Sequence, residues 1–218
     1  MMYQRAQALF AIVLVLLLGG CGFSGVQGSG NVVSESRNVS DIRGVELSGD
    51  GNLEIEQSGT ESLTISADDN ILPLLKSEVR NGRLILSERE NIDFQAAKRV
   101  RYKLAVKNLN EIGLSGDGHV DAKGVVTDKL KISISGDGDI RTAGNAEEQE
   151  INVSGDGSYK GQDLNSKIAR VNISGDGSAT LTVSDKLNAN ISGDGSVEYS
   201  GNPTVSQNIS GDGSVRKR

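Results

Sequence analysis

Apolar and polar residues alternate along the second half of the chain in short runs that recur at a near-constant interval. A typical run has two apolar residues separated by one polar residue, as at 132–134 (ISI), 151–153 (INV) and 171–173 (VNI). This alternation places the apolar pair on one face of a β-strand and the polar residue on the other. An apolar residue also returns a few positions later, at Val120, Ile140, Tyr159, Ala179, Val197 and Val215. The pattern therefore predicts a series of short strands with one buried face.

The tetrapeptide Ser-Gly-Asp-Gly separates these runs and occurs seven times. Its copies begin at Ser48, Ser115, Ser135, Ser154, Ser174, Ser192 and Ser210, and the last six are 20, 19, 20, 18 and 18 residues apart. Glycine accepts positive φ, so each copy can turn the chain tightly between two strands, and a second, more variable turn completes the repeat. One repeat cannot bury its apolar face alone, whereas stacked copies can. We therefore expect an all-β fold, a right-handed parallel β-helix with about 18–20 residues per coil.

Residues 31–110 repeat less clearly. Asp68-Asp69-Asn70 followed by apolar residues up to Val79 predicts one short capped helix, with Pro73 in its first turn. Asn81-Gly82 between two apolar runs predicts a tight hairpin turn. We interpret 31–110 as the opening coils and cap of a single domain, 31–218, whose tandem coils occupy 111–218. A separate N-terminal domain is less favoured because no long linker divides the two halves.

The first twenty residues have the features of a secretion signal. Arg5 precedes an apolar stretch, 8–18, that is too short to span a membrane comfortably. The stretch ends in Leu-Gly-Gly-Cys, which resembles the bacterial lipobox, and Cys21 is the only cysteine of the chain. We predict a lipoprotein signal peptide at 1–20 and lipidation of Cys21, with an ordinary signal peptide and an incidental cysteine as the alternative. Residues 21–30 then form the lipidated cysteine and a flexible Gly/Ser-rich tether.

The residue after the cysteine predicts which membrane holds the anchor. In the lipoprotein sorting rule that this arrangement resembles, an aspartate at that position retains the protein at the inner membrane. Gly22 therefore favours the outer membrane of a diderm bacterial envelope.

Composition narrows the classes of function. The net charge of −6 makes nucleic acid a poor partner. His119 is the only histidine, which argues against His-based catalytic triads and zinc sites, and no phosphate-binding loop is present. We predict no catalytic residues and no cofactor.

Two columns of polar residues are candidate sites if the coils stack. The first holds the aspartates of the repeated tetrapeptide: Asp117, Asp137, Asp156, Asp176, Asp194 and Asp212, with Asp50 as a possible extension. Local hydrogen bonds from turn amides could stabilise these carboxylates, and a ladder of bound cations such as Ca²⁺ is the alternative. The second column comprises Asn152, Asn172, Asn190 and Asn208, for which an amide ladder is favoured over a ligand site.

The order of segments resembles one bacterial family. An alternating lead-in (RNVSDIRGVELSGDGNLEIEQ, 37–57) precedes the stretch ADDNILPLLKSEVRNGRLIL (67–86), and tandem SGDG repeats follow. This arrangement is similar to the head GIN domain family of autotransporter-type adhesins over about 31–215. The resemblance implies a right-handed β-helix shaped like pectin lyases, no assigned catalytic set, and a role in cell adhesion.

Two functions follow as hypotheses, and an enzyme is a third, less favoured one. The first is a non-enzymatic lipoprotein of the cell envelope, held at the outer membrane by its N-terminal lipid, whose β-helix binds a glycan or a surface protein. The second is a passive or self-associating envelope rod. A polysaccharide-acting enzyme is disfavoured because the acids recur regularly and no special residue or inserted loop interrupts the repeat. The oligomeric state stays open.

Overall fold

The computed structural model describes residues 25–89 and 94–218, and it is built almost wholly from strands. The signal peptide, Cys21 and Gly22 lie outside the described residues. The N-terminal half contains β1 (Val26–Gln27), β2 (Val32–Arg37), β3 (Gly44–Ser48), β4 (Asn52–Gln57), β5 (Ser62–Asp68), β6 (Leu75–Arg80), β7 (Arg83–Glu88), β8 (Phe94–Gln95) and β9 (Arg101–Val106). The tandem coils contain β10 (Glu111–Ser115), β11 (His119–Ser135), β12 (Asp139–Ser154), β13 (Ser158–Ser174), β14 (Ser178–Ser192), β15 (Ser196–Ser200), β16 (Thr204–Ser210) and β17 (Ser214–Lys217).

The coils stack in parallel and in register, which confirms the predicted β-solenoid. The serines of the tetrapeptide pair in succession from Ser115 through Ser135, Ser154, Ser174 and Ser192 to Ser210, so each coil takes 18–20 residues. The first tetrapeptide joins the same column, because Ser48 pairs with Ser115 although 52–110 intervene. The solenoid has about five turns.

The two glycines of each tetrapeptide serve different purposes. The first glycine has φ between 108° and 122° in every copy, as the turn prediction requires. The second does not adopt positive φ and is needed for close packing instead. A Cβ on Gly157 would lie 2.8 Å from the carbonyl oxygen of Gly138 and 2.5 Å from Cγ2 of Ile134. Glycine at this position therefore allows neighbouring coils to approach.

The turn amides bond to adjacent coils rather than to the aspartates, which corrects one expectation. The N–H of Gly155 donates to the carbonyl of Ser174, and the N–H of Gly157 donates to that of Gly136, both at 3.0 Å. In the described part of the chain, the aspartate column accepts one backbone hydrogen bond, from Asp212 N–H to Asp194 Oδ1 at 3.3 Å. Each turn is therefore held by hydrogen bonds between coils, which use the amide groups of the turn.

Aliphatic side chains from successive coils fill the interior in columns. The residue two positions beyond the second glycine is buried in five coils and half-buried in the last, as the alternation predicts. A second inward column lies on the strand before the tetrapeptide, and all its members are at most 1% exposed: Ile112, Ile132, Ile151, Val171 and Ala189. The stacking of like on like gives the solenoid a continuous thin core.

A chain of polar side chains also lies inside the core. The Tyr159 hydroxyl, fully buried, donates to Oε1 of Gln149 at 2.7 Å and contacts the Thr142 hydroxyl at 2.7 Å. Gln149 Nε2 then donates to the Ser166 hydroxyl, which donates to the carbonyl of Thr182 at 3.0 Å. Burial raises the pKa of the Tyr159 phenol well above its usual range, so the hydroxyl remains a donor.

The N-terminal half closes one end of the solenoid with antiparallel pairs. Strand β2 pairs antiparallel with β5, and β5 pairs antiparallel with β9, which continues in parallel into β4 and β11. On the other side, β6 pairs antiparallel with β7 across a turn in which Asn81 and Gly82 have φ of 52° and 80°. This confirms the predicted hairpin.

The predicted helix is present only as a single 3-10 turn, Leu72–Leu74, with Pro73 in its first positions. No side chain caps it, and the strand β6 begins at Leu75, where a longer helix would have continued to Val79. The expected capping residues bond elsewhere, because they hold the segment that follows the predicted anchor.

The segment that follows the predicted anchor is bound to the domain, whereas the sequence predicted it to be a flexible tether. Strand β1 pairs with β8, and Asn70 Nδ2 donates to the carbonyl of Gln27 at 2.7 Å. Asp69 accepts from the Ser29 hydroxyl at 2.6 Å and from the Asn31 amide at 2.9 Å. We call residues 26–31 the N-terminal strap.

Candidate functional site

A groove of about 870 Å³ runs along the tandem coils on the side of the second, variable turn. Its lining comes from matching positions of successive coils, 126–128, 145–147, 165–167, 182–184 and 201–202, together with Asn108. Four steps between coils of about 4.8 Å each give a length of about 19 Å. The groove is therefore an elongated site parallel to the solenoid axis.

Side-chain amides line this groove from end to end. Asn108 and Asn202 lie at its two ends, and Asn145 and Asn165 lie in register in the middle. Asn165 Nδ2 donates to Asn145 Oδ1 at 3.3 Å. Among the described residues, Asn145 Nδ2 and Asn165 Oδ1 have no protein partner, so the pair presents a free NH₂ donor group and a free carbonyl acceptor to the groove.

The strand residues beneath the groove alternate between outward and inward side chains, and their backbone is already paired. Ala146 and Val183 are buried, whereas Val126 is 66% exposed at one end of the groove. Asn145 pairs with Val126 on one side and Asn165 on the other, and Asn165 continues the pairing to Thr182. At the end of the strip, the Gln57 side chain bonds to the N–H and the carbonyl of Val126. A ligand in the groove must therefore be recognised by side chains.

The charges at the rim are mainly acidic. Asp128 and Glu147 line the groove together with Lys167, which bonds to Glu147 at 2.7 Å. This carboxylate, and to a lesser extent Asp185, raises the pKa of Lys167. The cation of the described lining is therefore paired with an acid, and Lys217 bonds to Asn202 Oδ1 at one end of the groove.

The chemistry available in this groove is hydrogen bonding. Its described lining contains no histidine or cysteine, and Glu147 is held in an ion pair with Lys167. This arrangement can orient an uncharged polar ligand, with the buried Ser166 and the half-buried Thr182 supporting the middle of the strip.

The predicted aspartate column lies elsewhere. All seven aspartates, Asp50 included, are exposed at the turn corner, and none lines the groove. Within the described ranges, no group of three or more His, Cys, Asp or Glu residues is arranged to hold a metal ion. His119 is half-buried at the start of β11 and also lies outside the groove lining. The lipidation prediction for Cys21 falls outside the described residues.

The predicted asparagine ladder is confirmed over three coils. Asn172 Nδ2 donates to Asn152 Oδ1, and Asn190 Nδ2 donates to Asn172 Oδ1, both at 2.9 Å. Asn208 is in register with Asn190. This ladder lies on the strand before the tetrapeptide, on a different face from the groove. The second ladder, Asn145 and Asn165, was not predicted from the sequence, where the available signal was a 20-residue spacing within the variable turn.

No helix in the described ranges is long and apolar enough to cross a membrane.

Solved structures from several bacteria share this fold. A protein described as a "putative adhesin" from Bacteroides fragilis is similar with a TM-score of 0.73 and 24% identity, over 89% of this chain and 100% of that chain. A "putative lipid binding protein" from Parabacteroides distasonis is similar with a TM-score of 0.53 and 24% identity, over 88% and 99%. A "putative adhesin" from Parabacteroides merdae is similar with a TM-score of 0.52 and 22% identity, over 89% of this chain and 99% of that chain. At these identities the likeness concerns the fold.

Comparison with curated proteins and with family models gives different outcomes. No curated protein matches the chain. One family model matches residues 41–203, which include all the lining residues of the described groove and six of the seven aspartates of the column. The chain therefore belongs to the family described as "Putative auto-transporter adhesin, head GIN domain".

Proposed function

We propose that this protein is a non-enzymatic binding module of the bacterial cell envelope, anchored by lipid on Cys21 to the outer membrane. The observation that carries the proposal is the amide-lined groove along the coils, which offers a long recognition strip. Membership of an adhesin-type family supports the binding role. The lipobox-like sequence at 18–21 and Gly22 support the anchor and its membrane.

The anchor is tested by fractionating a diderm bacterium that expresses the full chain. The unchanged chain is expected in the outer-membrane fraction. Cys21→Ser should release it to the soluble fraction, and Gly22→Asp should move it to the inner membrane. Recovery of Cys21→Ser in the outer membrane would contradict lipid anchoring through this residue.

Binding is tested with the purified full-length protein and isolated bacterial envelopes. We expect saturable binding that Cys21→Ser leaves intact, because the groove and not the lipid makes the contact. Protein that binds no envelope material and assembles with rising concentration would contradict the proposal and favour a self-associating rod. Turnover of envelope polysaccharide would contradict the non-enzymatic assignment.

A further inference from the structure

We infer that the groove takes an uncharged linear glycan that lies parallel to the solenoid axis. This inference rests on the proposed binding function and names the ligand class of the same site. The groove crosses successive coils over about 19 Å, a length that suits an extended chain and exceeds what a single small molecule needs.

The polar lining matches hydroxyl groups. A carboxamide offers both donors and an acceptor, and a sugar hydroxyl likewise donates and accepts. The middle pair leaves Asn145 Nδ2 and Asn165 Oδ1 open one coil apart, and Asn108 and Asn202 add amides at the two ends. Val126, 66% exposed at one end of the groove, offers an apolar surface to the less polar face of a sugar ring, whereas Ala146 and Val183 are buried in the core.

The charges argue against polyanions. Lys167 is paired with Glu147, and Asp128 adds a further negative charge at the rim. An acidic polysaccharide would bring its carboxylates toward these acids without a free cation in the described lining to offset the repulsion. The preferred ligand is therefore a neutral one.

The backbone pairing argues against an extended peptide. Peptides bind β-structures chiefly by adding a strand to a free edge, which requires unpaired backbone groups. The strip beneath the groove pairs with a coil on each side at Asn145 and Asn165, and the Gln57 side chain bonds to the N–H and the carbonyl of Val126. Recognition by side chains alone suits a glycan better.

The test uses the full-length protein and calorimetric titration with defined neutral oligosaccharides. Cellohexaose, maltohexaose, mannohexaose and chitohexaose are the probes, with shorter members of each series and an oligogalacturonate hexamer as the acidic comparison. We expect at least one neutral hexamer to bind, its affinity to increase with chain length, and the acidic hexamer to bind at least tenfold more weakly.

Two matched pairs of substitutions locate the site. Asn145→Ala with Asn165→Ala removes the two middle amides of the groove, and we expect about a tenfold loss of affinity, equivalent to about 1.4 kcal/mol, because the ligand loses its hydrogen bonds to both. Asn172→Ala with Asn190→Ala removes two exposed amides of the ladder on the other face and should leave the affinity within twofold. Loss of binding in the second pair but not the first would overturn the assignment to the groove.

The salt dependence of binding tests whether the ligand is neutral. A tenfold increase in NaCl concentration should change the affinity for the neutral hexamer less than threefold, because the ligand carries no charge for the salt to screen. If envelopes bind saturably but no neutral hexamer does, the glycan inference fails while the binding function stands. If envelopes do not bind either, the proposed function itself fails.

Discussion

At the scale of single residues, glycine at the tetrapeptide turn combines a backbone and a packing requirement. Gly155 has φ of 108°, and a Cβ on it would lie 2.8 Å from the carbonyl oxygen of Gly136 in the adjacent coil. Gly59 also has positive φ, 81°, but a Cβ there would meet nothing within 4 Å. Substitutions at these two positions therefore distinguish the cost of backbone strain from the cost of a clash between coils.

We expect Gly155→Ala to destabilise the fold much more than Gly59→Ala. Backbone strain costs about 1 kcal/mol at either site, and at Gly155 the clash adds about 2 kcal/mol or more. For a chain of this size this corresponds to a melting temperature lower by roughly 10 °C for Gly155→Ala and by a few degrees for Gly59→Ala. Thermal unfolding followed by circular dichroism measures both, and equal shifts would contradict the packing role.

The buried Tyr159 hydroxyl predicts a second effect at this scale. Tyr159→Phe removes the donor to Gln149 Oε1 and leaves that oxygen buried without its partner. The free energy of unfolding should fall by about 1–3 kcal/mol, the usual cost of an unsatisfied buried group. Tyr199→Phe is the control because Tyr199 is half-buried in the outer coils and takes no part in this chain of bonds. Chemical denaturation of both variants gives the comparison, and equal losses would contradict the role of the network.

At the scale of elements, a ladder of alternating charge runs across five strands. Arg83, Glu111, Lys131, Glu150 and Arg170 follow one another along the stack, with Gly44 between the first two. Arg83 reaches past this glycine to bond with Glu111 and also bonds with Glu46 at 3.1 Å. Exposed pairs contribute about 0–1 kcal/mol each, so the ladder favours the correct register more than it adds stability.

The N-terminal strap is the element whose stability should depend on pH. Hydrogen bonds from Ser29 and then Asn31 hold the pKa of Asp69 below its ordinary value. Because that pKa is lowered in the folded state, the ionised Asp69 stabilises the strap fully at pH values above the ordinary aspartate pKa. This stabilisation disappears as the pH falls through the lowered pKa. Loss of the strap would free residues 26–31 without unfolding the coils.

We expect Asp69→Ala to accelerate amide exchange at Ser29 and Asn31 several-fold at neutral pH, after correction for intrinsic rates. Asp163→Ala, at an exposed aspartate of the tandem coils, should leave both amides unchanged. In the unchanged protein, the two amides should lose protection from exchange at pH values below the ordinary aspartate pKa, while the amides of the coils stay protected. Strap protection that is independent of Asp69 at every pH would contradict this account.

The sequence predicts elements best where the determinant is local and repeated. The tetrapeptide turn meets both conditions, so the coil length, the inward columns and the asparagine ladder from Asn152 to Asn190 could be derived from spacing. The strap could not, because Asp69 and its neighbours look like a helix cap while their partners lie about 40 residues earlier. Long-range hydrogen bonds prevailed over the local signal.

The groove, like the strap, could not be predicted from the sequence. Its strip follows register shifts between Ala122 and Val125 and between Gly161 and Asn165, and these irregularities decide which side chains face outward. Their positions depend on how neighbouring coils pack, so the amide pair Asn145 and Asn165 could be assigned to a groove only from the structure.

At the scale of the whole molecule, the aspartate column is a line of negative charge along one corner of the solenoid. Neighbouring carboxylates about 4.8 Å apart repel by roughly 1 kcal/mol in water. All seven are exposed, and their turns are held by bonds between coils. Water and dissolved salt can therefore screen the repulsion without a specifically bound ion.

This leads to a prediction about calcium. The melting temperature of the full chain should be the same in EDTA and after addition of millimolar CaCl₂, apart from a small rise that NaCl of equal ionic strength reproduces. A cation bound only by the folded state would raise the midpoint further, in proportion to RT ln(1 + [L]/Kd). Asp156→Asn with Asp176→Asn removes two charges from the column, and Asp163→Asn with Asp185→Asn removes two elsewhere. A calcium-specific shift of many degrees that only the first pair abolishes would make this corner an ion-binding edge and would point to calcium-dependent adhesion.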